Sequence, residues 1–177
     1  MNEVKSLNLE FQLFQQYGLN TGGMWKVIEI IKNGKETIEC LQDKICEVEL
    51  YNNKEKYIQY FKSDIFLEYY NTENLKLIEL KEWKSYFEVR MEYWSDFELI
   101  SKEENRNNFN KKIFLKQKVK FDELFKLYLT QNVLNMVYKI DETKFHTFET
   151  EWKDQIAEDF IFDFNDKLIL IHFGWSS

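Results

Sequence analysis

Thirty-one of the 177 residues are aromatic, sixteen of them phenylalanine, and the chain holds a single alanine, Ala157. A core drawn from this pool has to be assembled from Phe, Tyr, Trp, Leu and Ile. Each ring buries roughly 150–250 Å² and prefers tilted or edge-to-face neighbours, so a few well-patterned elements suffice to close it. Proline is absent and arginine occurs only at Arg90 and Arg106. Phe, Tyr, Ile, Lys and Asn have AT-rich codons and Pro, Ala and most Arg codons do not, so nucleotide bias accounts for the missing prolines without a structural cause.

A chain of this length fits one domain, 1–177, and a domain of this size buries roughly 70% of the surface its unfolded chain exposes. With 44% hydrophobic and 31% charged residues it belongs to the globular class. The longest apolar runs, such as Leu168 to Ile171, fall far short of the roughly 18 residues of a membrane span, and the opening MNEVKSLNLEFQ lacks the apolar stretch of a signal peptide. Cys40 and Cys46 without a nearby His read as reduced thiols. The expectation is a cytoplasmic protein that does not engage membranes.

A net charge of −7 argues against general affinity for nucleic acid or anionic lipid. The charge is unevenly placed, however. Arg106 to Lys120 holds six cations and no acid, whereas Asp141 to Asp166 holds nine acids against Lys144 and Lys153.

Leu7, Leu9, Phe11 and Leu13 alternate with polar residues and predict a first strand. Asn33-Gly34 suits a type I′ turn and predicts a hairpin joining Trp25–Ile31 to Lys35–Leu41. Further strands are expected over Ile45–Tyr51, at Leu75, Leu77 and Glu79, and at Phe87, Val89, Met91 and Tyr93, with Lys54–Phe61 open between strand and helix. Residues 101–112 are polar and aperiodic and read as an exposed loop. Helical spacing predicts helices over about 122–138 and 143–158, and Phe160–Phe164 with Lys167–Phe173 form a C-terminal hairpin about Asn165-Asp166. The expected fold is α+β, a mainly antiparallel sheet of about six to eight strands with the two helices on one face.

Catalytic constellations are thin. His146, expected on a helix surface, and His172, expected in a strand, are the two histidines, and no serine sits in a nucleophile elbow. Asp64 followed by Glu79-Leu80-Lys81 resembles the Asp and Glu-x-Lys set with which metal-dependent nucleases hold Mg²⁺, but Glu-x-Lys recurs by chance in so charged a chain. Glu158, Asp159, Asp163 and Asp166 lack the regular loop that wraps Ca²⁺. No cofactor is implied. Lys116, Lys118 and Lys120, with Lys112, would project from one face if extended, a stripe able to contact RNA phosphates.

These readings favour a protein that binds rather than one that turns over. Small size, acidity, aromatic richness and AT-biased composition resemble, in general character, bacterial toxin-immunity proteins and phage-encoded counter-defence (anti-CRISPR-like) inhibitors. The resemblance implies a stoichiometric inhibitor that blocks a basic, nucleic-acid-binding surface of a partner protein, such as a nuclease or its RNA-bound complex. Glu149, Glu151, Asp154, Glu158 and Asp159 would stand in for phosphates, with Trp152 and Trp175 as apolar anchors. The competing expectations are a nuclease using Asp64, Glu79 and Lys81, and an RNA-binding module using the 111–120 stripe.

Overall fold

The computed structural model describes residues 3–16, 25–46, 72–95, 111–141 and 156–175. In chain order these form α1 (Glu3–Gln16), β1 (Lys26–Ile31), α2 (Thr37–Cys46), a 3₁₀ turn (Thr72–Asn74), β2 (Leu77–Glu79), α3 (Trp83–Ser95), α4 (Lys111–Gln131), β3 (Leu134–Ile140), β4 (Ile156–Phe164) and β5 (Lys167–Trp175). The class is α+β. The strands make one antiparallel sheet in the order β1-β5-β4-β3-β2.

The expected C-terminal hairpin is present and longer than its apolar run indicated. β4 and β5 are two of the three inner strands, with Phe160 to Phe164 and Leu168 to Phe173 buried throughout. Both faces of this hairpin are covered, which is why its sequence reads as a nearly continuous apolar run. Alternation then sorts the rings. Phe160, Phe162, Phe164 and Phe173 join one core cluster, and Ile161, Leu168 and Leu170 join the other.

The ring-rich face is covered by α1, α4 and α3. Phe11 of α1 lies 4.7 Å from Phe121 of α4, Phe125 lies 5.0 Å from Phe162, and Phe87 of α3 lies 5.1 Å from Phe160, mostly in tilted or edge-on geometry. The opposite, aliphatic face receives Ile38, Cys40 and Leu41 of α2, with Leu75 beside them. Among the described residues three helices therefore back one face and one the other, in place of the two expected on a single face. The sheet has five strands among the described residues, fewer than expected.

Several segments with period-two alternation are helical. In α1 the buried apolar set is Val4, Leu7, Phe11 and Phe14, spaced i, i+3, i+7 and i+10, while Leu9 is exposed. A seven-residue window fits both periods, and packing against the sheet selected the helical one. In α3, Phe87, Met91 and Trp94 turn inward and Val89 is left 60% exposed, so the strand expected there is a helix. The Asn33-Gly34 turn exists, with φ of 50° and 79°, and Lys35 N–H closes it on Lys32 C=O. It leads into α2 and not into a second strand, because Ile38 and Leu41 dock at helical spacing.

The helix expected over 122–138 begins earlier, at Lys111, and ends at Gln131. Residues beyond Val133 form β3. Of the helix expected over 143–158, residues 142–155 lie outside the described residues, and 156–158 open β4. Of the strand expected over Ile45–Tyr51, Ile45 and Cys46 end α2 and the rest lies outside the described residues, as do Lys54–Phe61 and 101–110 of the expected loop, while Lys111 and Lys112 belong to α4.

Candidate functional site

β4 places its acids on opposite sides of the sheet. Glu158 shares the aromatic face with Phe160 and Phe162, under the C-terminal half of α3. There Arg90 and Trp94, one helical turn apart, both reach Oε2: the Arg90 Nε at 2.7 Å and the Trp94 indole N–H at 2.8 Å. Lys139 Nζ of β3 donates to Oε1 at 3.0 Å. The carboxylate is 2% exposed, and it accepts bonds from three side chains on two elements. Such a group is stable in the interior only because both of its oxygens are engaged.

Asp159 points to the other face, where Oδ1 lies 2.7 Å from Nδ1 of His172, its cross-strand partner on β5. Both side chains are buried. Asp163 accepts from Lys32 Nζ at 3.0 Å and from the Thr37 hydroxyl, fastening the first residue of α2 to the sheet. Three of the nine acids between Asp141 and Asp166, Glu158, Asp159 and Asp163, thus have side-chain partners inside the protein. Glu158 and Asp159 belong to the interior, which corrects their expected place on a solvent-facing acidic surface.

Of the remaining expected contact residues, only the backbone of Trp175 is described. Glu149, Glu151, Trp152 and Asp154 lie outside the described residues, in the connection that leaves β3 after Ile140 and enters β4 at Ile156. Trp175 is paired in register with Ile156. The side chain of Trp175 lies outside the described residues. Arg90, Lys139 and Glu158 sit at the root of that connection.

Beside this root, α3 presents a stripe at helical spacing: Trp83, Tyr86, Arg90 and Tyr93. Tyr86 is 37% exposed and the other three are half-buried. The Arg90 guanidinium lies 3.9 Å from the Tyr93 ring centre, and Lys139 Nζ lies 6.0 Å from that of Tyr86. Exposed Ile78 of β2, in register with Lys139, extends the patch to the sheet edge. Sequence reading passed over these residues because it took 87–93 as a strand. A helical period would have set Arg90 and Trp94 on one side.

The basic stripe is rearranged too. In a helix, Lys116, Lys118 and Lys120 do not share a face, which corrects the extended arrangement expected of them. Lys112, Lys116 and Lys120, four residues apart, line one side of α4. Lys120 reaches back to Glu10 of α1 at 2.6 Å.

For metal chemistry, Glu79 ends β2 and Lys81 follows in a turn, both exposed, while Asp64 lies outside the described residues. Among the described residues no group of three His, Cys, Asp or Glu side chains could hold a metal ion. Burial pushes the Cys40 thiol up, the wrong direction for a nucleophile. Cys46 ends α2, with its side chain outside the described residues, as is all of His146. His172 lies in a strand as expected, but in the interior. No helix among the described residues is long and apolar enough to cross a membrane. Compared with protein-family models, curated proteins and solved structures, the chain matches none.

Proposed function

We propose that this protein is a stoichiometric inhibitor, held against a basic, nucleic-acid-binding surface of a partner protein in the cytoplasm, as toxin-immunity and phage counter-defence proteins are. The observation that carries this reading is the composition of the corner where α3, β3 and β4 meet. Trp, Tyr and Arg side chains, the types that dominate binding hot spots, stand half-exposed at the root of a connection carrying Glu142, Glu149, Glu151 and Asp154. Opposite charge on that connection would speed encounter with a cationic surface. Internal pairing of Glu158 with Arg90 and Lys139 leaves these two cations already engaged, so they oppose a basic partner less than free cations would.

Affinity capture from the native source, with the wild-type chain and Glu151→Lys/Asp154→Lys side by side, tests the reading. A basic protein recovered in a fixed ratio with the wild type, and depleted about tenfold or more with the double variant, is the expected result. Recovery unaffected by the charge reversal removes the acidic connection from the mechanism.

A further inference from the structure

We propose that the outward side of the first half of α4 docks on an anionic phospholipid surface. Phe114, Phe121, Phe125 and Tyr128 are the residues of this helix that turn into the core. The exposed positions between Lys112 and Lys120 are then Lys112, Ile113, Leu115, Lys116, Val119 and Lys120, lysines and branched aliphatics with no acid among them. Leu115 is 46% exposed and Val119 53% exposed, on a helix whose opposite side is already locked by rings. They cannot rotate inward without expelling the phenylalanines.

Lysine ammoniums beside shallow aliphatics match the layering of a bilayer surface. Anionic headgroups meet the charges, the aliphatic side chains enter the acyl boundary, and the long lysine stems reach back to the headgroups. Among the described residues neither Lys112 nor Lys116 makes an ion pair that would have to be broken. RNA fits this surface less well. Single strands are held by aromatic platforms and cations, whereas here every exposed side chain between the lysines is aliphatic. The net charge of −7 argues against anionic lipid only as an average. At physiological salt, charges more than about 8 Å away are largely screened, so a membrane would meet chiefly Lys112 and Lys116, with Lys120 paired to Glu10.

Co-sedimentation of the full chain with vesicles of phosphatidylcholine alone, and of phosphatidylcholine with phosphatidylglycerol at 3:1, tests this. The partition coefficient should rise about tenfold or more with the anionic lipid. Lys112→Glu/Lys116→Glu should return it to the neutral-vesicle value, and Leu115→Ser/Val119→Ser should lower it several-fold at unchanged salt. All four side chains are exposed, so both double variants should keep the wild-type melting curve, and Val119→Ser alone serves if the pair does not. Three results would overturn the proposal: no preference for anionic vesicles, aliphatic variants that bind as wild type, or a 20-nucleotide oligouridylate that binds as tightly and displaces the vesicles. None of these bears on the inhibitor reading, which concerns the α3 corner.

Discussion

Phe173→Ala is expected to lower stability by about 4 kcal/mol, near the upper end for ring-to-methyl changes in a core. Phe173 sits on inner strand β5 and is fully buried, with the rings of Trp25, Phe11, Trp94 and Phe160 centred 5.1, 5.3, 5.5 and 6.0 Å away. Those rings come from α1, α3, β4 and the residue preceding β1, so no single element can shift to fill the space. For a domain of this size the loss corresponds to a fall in Tm of about 8–16 °C. Urea denaturation should show the midpoint moving with little change in slope. Phe173→Leu, which keeps most of the volume, should cost less than half as much. A Phe173→Ala variant that melts with the wild type would mean that the two-faced core is wrongly assembled.

Glu158→Ala comes second, at about 3 kcal/mol, through a different mechanism. Removing the carboxylate takes away the acceptor that Arg90, Lys139 and the Trp94 indole N–H share in a poorly hydrated corner. Breaking one partner out of such a set usually costs more than the set is worth as a whole. Arg90 and Lys139 keep partial access to solvent, which limits the loss. Glu158→Gln retains an acceptor for Trp94 but turns an amide donor toward a cation, so it should recover only part of the stability. Glu158 and Phe173 are cross-strand partners on β4 and β5, and the double variant should therefore depart from additivity. Chemical denaturation of the single and double variants reads both effects. A neutral Glu158→Ala would show that the corner is not held by its buried carboxylate.

The fold class and the C-terminal hairpin were legible in the sequence because Phe160–Phe164 and Lys167–Phe173 are long apolar runs divided by an unambiguous turn. The helices α1 and α3 were not. Leu7 to Leu13 and Phe87 to Tyr93 alternate by chance, and the residues completing the helical sets, Val4, Phe14 and Trp94, fall outside those short windows. With so many aromatic residues available, apolar side chains occupy both inward and outward positions, which blurs either period. The acids show a related limit. Composition identified Asp141 to Asp166 as an acidic segment, yet it could not tell that Glu158, Asp159 and Asp163 are paired internally, because their partners lie 13 to 131 residues away in sequence. The lysines of 111–120 were legible as a basic stretch, and only the helix decided which of them share a face.

The proposed role has the protein occupying a partner's surface and not processing a substrate. Incubating it in excess over fluorescently labelled DNA and RNA with Mg²⁺, beside Glu79→Ala, tests that most directly. The account expects no cleavage above the buffer blank for either form; metal-dependent cleavage by the wild type that disappears in Glu79→Ala would contradict it.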